Sequence, residues 1–150
     1  MDRVKITTEL ELESPVDSSA ISIQVNINGE NLPEILNVEE FFALKEHDGL
    51  VPLFTCVCGD FGCGGYYVDV ACTDTDLILR NSYHRFNRSL QSTFEYHLDW
   101  QQVKGVAEEI IAYLQKIQEL NPQAFVTNGY VGGNLLARLP DYRKSSLLVP

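Results

Sequence analysis

No stretch of this 150-residue chain is apolar and long enough to cross a bilayer, which takes about 18–20 consecutive apolar residues. The opening Met1-Asp2-Arg3-Val4-Lys5 alternates polar and apolar residues and lacks the apolar block of a secretion signal, which points to a cytoplasmic protein with no membrane association. Cysteine is scarce: four are too few for a disulfide-dense secreted scaffold, so in a reducing compartment they are thiols, metal ligands or redox groups. Bases are nearly missing from the front half. Residues 1–79 hold fifteen acids against three bases (Arg3, Lys5 and Lys45), whereas residues 80–150 hold six acids against eight bases. With a net charge of -10 this argues against nucleic-acid binding, because phosphates are met by Lys and Arg. It admits a basic protein partner or mimicry of nucleic acid, beside the plain reading of a solvated acidic surface. The chain also has no Gly-rich phosphate loop, no nucleophile elbow and no H-E-x-x-H.

What is present is enough for one core. Hydrophobic residues make up 45% and charged residues 21%, an ordinary globular balance that argues against disorder. Neither a repeat nor a composition shift marks a second domain, so residues 1–150 read as a single α+β domain. Val4, Ile6, Leu10 and Leu12 alternate with Lys5, Thr7, Glu9 and Glu11, the period-2 pattern of a strand with one buried face. Ser14 to Ser19, with Pro15 and Asp17, reads as a loop. Ile21, Ile23, Val25 and Ile27 form a second inward row that closes on Asn28-Gly29, and the two strands predict an antiparallel pair. Asn37 caps a short helix near 38–46, with Glu39 and Glu40 in its first turn. Strands are predicted over Leu50–Cys58, Tyr66–Cys72, Asp76–Asn81 and Thr93–Leu98.

The clearest helix spans 100–120. Val103, Val106, Ala107, Ile110, Ile111, Leu114 and Ile117 recur at three- and four-residue steps as one apolar stripe. Asp99 is the cap, with Gln102 at capping-box spacing, and Asn121-Pro122 ends it. The fold predicted is α+β: a mainly antiparallel sheet of about five or six strands with this helix packed on one face. The last 28 residues show little periodicity and read as loops with one short element and a frayed end after Lys144.

Chemistry concentrates in Thr55-Cys56-Val57-Cys58-Gly59-Asp60-Phe61-Gly62-Cys63-Gly64-Gly65. On a strand Cys56 and Cys58 share a face, and a four-residue loop Gly59–Gly62 places Cys58 opposite Cys63 on a hairpin. Zinc favours such thiolates, and Cys56, Cys58, Cys63 and Cys72 are the candidate ligands. Cys72 is the weak member. It follows Cys63 by nine residues, roughly 30 Å of straight strand at 3.3 Å per residue, and only a bend at Gly64-Gly65 returns it. His47, His84 and His97 are the other possible fourth ligands. Two further readings stand beside zinc: a reversible disulfide, which the neighbouring Asp60 disfavours by raising thiol pKa, and small buried hydrophobes around a tight turn.

This segment resembles a Thr-Cys-x-Cys-Gly-x-x-Gly-Cys-x-Gly pattern of small uncharacterised bacterial proteins, a family of unknown function. There it is similarly followed by a strand, then by an aromatic-rich strand leading into a helix, as over Phe94–Leu114 here. The resemblance covers about residues 50–115. It implies a bacterial or phage origin and little chemistry; proteins of this general kind look like toxin-immunity or defence-related partners.

Arg80, His84, Arg85 and Arg88, interleaved with Tyr83 and Phe86, form the one basic cluster in the sequence. It suits a phosphate or carboxylate, or single-stranded nucleic acid, and as a plain alternative its arginines offset the acidic front half. The carboxylate pairs Glu39-Glu40 and Asp74-Asp76 have no supporting His or Asn at useful spacing for acid–base work or Mg²⁺. His97 reads as an exposed residue on the polar face of its strand. Trp100 reads as packing over the helix end or as an interface anchor. With no assembled catalytic set, the leading reading is a non-catalytic binding protein, of bacterial immunity or inhibitor type, whose acidic surface meets a basic partner. The alternative is a zinc-binding module through Cys56, Cys58 and Cys63, structural or catalytic.

Overall fold

The computed structural model describes residues 2–13, 18–56, 61–129 and 132–148. Strands β1 (Val4–Glu13) and β2 (Ser18–Ile27) pair antiparallel from Val4↔Ile27 to Glu13↔Ser18, as their alternation predicts. The Leu10–Leu12 part of the predicted face lies outside the described side chains. Residues 14–17 of the predicted loop also lie outside the described residues, and its Ser18 and Ser19 belong to β2. Asn28 and Gly29 both take left-handed backbone (φ 56° and 89°), the geometry of a tight hairpin turn. The turn leads into β3 (Glu30–Asn31), which pairs with the end of β2.

The second sheet is an antiparallel meander of β4 (Ile35–Leu36), β5 (Gly49–Thr55), β6 (Tyr66–Cys72), β7 (Asp76–His84) and β8 (Leu90–Asp99), in that order. Between β4 and β5 lies α1 (Val38–Phe42), followed by a 3-10 turn over Leu44–Glu46. Asn37 caps α1 by accepting from Glu40 N at 3.3 Å. The two sheets are tied edge to edge where Asp2 N donates to His97 O at 3.0 Å and the Asp2 carboxylate accepts from His97 N at 2.7 Å.

Helix α3 runs Trp100–Leu120, with Asp99 accepting from Gln102 N at 2.9 Å. The capping-box spacing does a different job from the one it predicts. Gln102 does not reach back to the cap backbone; its amide donates to Asp2 O at 2.7 Å and accepts from Val4 N at 3.0 Å, clamping the start of β1 to the start of α3. Val103, Val106, Ala107, Ile110 and Leu114 are buried, with Ile111 and Ile117 half-buried beside them. They join Ile21, Ile23, Val25 and Ile27 of β2 and Val68, Val70, Leu77, Leu79 and Leu98 of the second sheet in one continuous core. The α+β class, the long helix and the short one are therefore as predicted, with the strands shared between two sheets.

The C-terminal segment departs from prediction. Strand β9 (Phe125–Asn128) runs parallel to β2 along its first residues, and α4 (Leu139–Arg143) lies between 3-10 turns at Leu135–Arg138 and Ser146–Leu148. Tyr142 stacks on Phe42 with centroids 4.3 Å apart, Ser145 Oγ donates to Phe42 O at 2.7 Å, and Leu147 is 2% exposed. The frayed end after Lys144 is thus replaced by a packed one through residue 148. Elements of three to five residues are too short for periodicity to reveal, and contacts with α1 a hundred residues away hold them. Leu147→Ala should cost about 2–4 kcal/mol in a urea melt, as for a filled core site, whereas Leu120→Ala, at an 80% exposed site, should stay within about 0.5 kcal/mol.

Candidate functional site

The β7–β8 hairpin carries the basic cluster to one end of the second sheet. The ladder is interrupted at Asn81, a left-handed residue (φ 59°) whose side chain accepts from Phe94 N at 3.1 Å. This bulge re-aims the strand beyond it. The tip is stiffened from within: His84 N donates to Ser89 O at 2.8 Å, Arg88 N to His84 O at 2.9 Å, and Asn87 Oδ1 accepts from Ser89 N at 3.0 Å. Arg85 donates through Nε to Gly62 O at 2.9 Å and lays its guanidinium 4.6 Å over the Phe86 ring. Arg88 lies 4.8 Å over Tyr67, which meets Phe61 edge-on at 5.0 Å. His84 Nδ1 accepts from Phe86 N at 3.3 Å. Phe86 itself is 71% exposed.

Of the predicted cluster, His84, Arg85 and Arg88 are therefore together and Arg80 is apart. Arg80 pairs across the ladder with Asp69 on one side and Glu95 on the other, its Nε 3.9 Å from Glu95 Oε1. The sequence set its neighbours in a line; the bulge after Arg80 separates them.

The cysteine segment meets this tip through Gly62. Cys63 is not on a strand: Phe61–Gly64 forms a helical turn, α2, and the β5–β6 ladder ends at Phe54↔Tyr66. Gly65 permits this turn. A Cβ there would lie 2.5 Å from the Phe61 ring and 2.7 Å from Phe54 O, so only glycine lets the ring close over the chain. The predicted Cys58–Cys63 hairpin pair is not formed by Cys63 as a strand residue, and Cys58 lies outside the described residues. Cys56 is half-buried and close to α2: a Cβ on Gly64 would sit 3.5 Å from Cys56 Cβ.

Cys72 is at the other end of β6, paired with Leu77, about 20 Å along the strand from its start. The bend at Gly64-Gly65 that would return it toward Cys63 is taken up before β6 begins. Its Sγ contacts Leu44 O at 3.6 Å, and burial, with Asp48 adding, pushes its thiol pKa up, away from redox reactivity. Among the described residues no group of three or more His, Cys, Asp and Glu side chains could hold a metal ion.

The sequence offered Asp76 no partner and read His97 as merely exposed, and the fold joins them. His97 Nδ1 lies 3.0 Å from Asp76 Oδ2 and its Nε2 2.9 Å from Glu95 Oε2. Asp76 also accepts from the Thr73 and Thr75 hydroxyls, each at 2.7 Å. Glu95 and His97, two apart on one strand, were the available signal; the third member needed the β7–β8 register. A carboxylate at each ring nitrogen favours the protonated imidazole, which works against a general-base role. Nearby, the backbone bond from His97 and then the Asn28 amide hold the Asp2 carboxyl below its ordinary value. Trp100 closes the same corner, donating to Thr73 O at 2.8 Å under Lys45, whose Nζ is 4.5 Å from its ring. It is packing at the helix end.

The cluster sets a pH window. Bonds to Glu95 and then Asp76 raise the His97 pKa above its ordinary 6.5, so its contribution to stability is complete below 6.5 and fades as pH rises through the raised value. Bonds from Thr73, Thr75 and His97 lower Asp76 from 3.8 to about 2, so its contribution is complete above 3.8 and fades as pH falls toward 2. Urea melts should show the largest loss for His97→Gln between about pH 4 and 6.5 and a shrinking difference from wild type above that window. A His97→Gln difference that does not change from pH 5 to pH 9 would remove the charge argument.

The geometry of the tip can bind but shows no nucleophile–base pair. Comparison with known protein families, with curated proteins and with solved structures finds no match to this chain.

Proposed function

We propose that this chain is a non-catalytic binding protein, of immunity or inhibitor type, that meets a basic protein partner through its acidic surface. The observation that supports it is where the charges are used. Arg138 is taken by Glu39 and Asp141, Arg80 faces Glu95, Lys45 lies on Trp100, and Arg85 and Arg88 lie on aromatic rings. Glu30, Glu46, Asp48 and Asp74 stand exposed on a chain of net charge -10. A field of that sign speeds encounter with a basic surface and repels acidic ones. Field alone gives little residence time; that comes from anchors buried on contact within the acidic face itself. Glu46→Lys with Asp48→Lys should slow association and flatten its dependence on salt between about 50 and 500 mM. Phe86→Ala, at the basic tip, should leave stability within about 0.5 kcal/mol and capture of the same basic partner unchanged. Capture that is insensitive to salt in the wild-type chain would end this reading.

A second reading, a zinc-binding module, is favoured by the contact that sets Cys56 beside α2, the turn bearing Cys63. Zinc would take these thiolates together with Cys58. About one zinc per chain by elemental analysis, lost in Cys56→Ser together with stability, supports it. Metal-free protein whose Cys56→Ser variant melts like wild type rules it out.

A further inference from the structure

The tip of the β7–β8 hairpin presents a large apolar side chain to solvent. Phe86 is 71% exposed, and the chain stays exposed from there to Leu90, itself 56% exposed. The turn that carries Phe86 is fixed from within. Arg88 N donates to His84 O and Phe86 N to His84 Nδ1, and Asn87 Oδ1 accepts from both the N–H and the hydroxyl of Ser89, at 3.0 and 2.7 Å. An aromatic ring held out on a fixed turn gains by burial against a second molecule and loses little conformational freedom in doing so.

Two guanidinium groups accompany it with donors to spare. Arg85 lies 4.6 Å over the Phe86 ring and Arg88 4.8 Å over Tyr67. Gly62 O takes only the Nε–H of Arg85, which leaves both of its Nη groups, and Arg88 makes no hydrogen bond to a described residue. A contact with a ring face holds a guanidinium without consuming its N–H groups, which stay able to form two parallel bonds to a carboxylate. No carboxylate of the described residues pairs with either group, in contrast to Arg80 with Glu95 and Arg138 with Glu39. A cleft where α1 meets the C-terminal segment, lined by Asn37, Asn128 and Arg138, thus has its cation answered from within the chain, and the tip does not. Arg and aromatic side chains together are the usual composition of interface anchors.

We propose that the hairpin tip is a second docking surface, opposite in sign to the acidic one, for an acidic protein segment: carboxylates of that segment accept from Arg85 and Arg88 while an apolar side chain between them covers Phe86. Charge complementarity sets the sign. It also favours a protein segment over a nucleic acid. A single strand brings a phosphate with every nucleotide along its length against a chain of net charge -10, whereas an acidic segment has to match only the tip. The tip belongs to the half of the chain in which bases outnumber acids, eight to six. It shares neither Glu46 nor Asp48 with the acidic surface, so the two can be tested apart.

The test is a titration of the full ¹⁵N-labelled chain, reading the Nε–H resonances of Arg85 and Arg88 and the backbone amides of the tip. The probes are the peptide acetyl-Glu-Asp-Leu-Phe-Asp-Glu-amide, the same peptide with Gln and Asn in place of its acids, and a decathymidylate strand. Saturable shifts at the tip are expected with the acidic peptide, with the neutral peptide about tenfold weaker. Phe86→Ala changes an exposed site, and Arg88→Asn suits the left-handed backbone there (φ 57°), so both chains should fold normally and bind the acidic peptide about fivefold more weakly. No saturable shift with the acidic peptide, the neutral peptide or the oligonucleotide binding as tightly, or both variants binding like wild type would overturn the proposal. So would tip resonances that move with protein concentration and not with peptide, which would make a second copy of the chain the occupant.

Discussion

Burial of one strand row governs this structure. Ile21, Ile23, Val25 and Ile27 of β2 leave almost no surface to solvent, and β2 has only a narrow sheet of its own. A strand row with that much apolar surface must be covered by another layer. The meander β4–β8 and the stripe of α3 supply the cover, and all three meet in a single core. The edge bond from Asp2 to His97 and the Gln102 clamp set where the layers meet, and core burial supplies the energy.

What was legible in the sequence follows from this. Alternation over β1 and β2 and the 3.6-residue stripe of α3 are imprints of one-sided burial, and all three elements lie where that imprint places them. The C-terminal segment carries no such imprint. Leu135, Leu136, Leu139, Tyr142 and Leu147 are all buried, but each on a piece too short to repeat. Their partners, Glu39 and Phe42, are distant in sequence, and pattern reading within a window does not reach them.

The functional candidates divide in the same way. His84, Arg85 and Arg88 are local in sequence and stay together, because a hairpin tip is a local object. Arg80 leaves the group through a bulge that no composition signal marks. Cys63 leaves the predicted strand for a helical turn, where Gly65 lets the chain pass close under the Phe61 ring, while Cys58 lies outside the described residues. Asp76, His97 and Glu95 form a charged group that only the β7–β8 register brings together, with a carboxylate at each ring nitrogen of His97.

The packing of the C-terminal segment onto α1 has a consequence in time. Phe42 receives Tyr142 and Ser145, which are made about a hundred residues after it. Until they emerge, α1 has an open aromatic side. The meander and α3 can assemble earlier from nearer contacts, in keeping with units that fold as they are synthesised. The cleft lined by Asn37, Asn128 and Arg138 does not exist until that last closure. During synthesis it therefore forms only after the meander and α3 have been made.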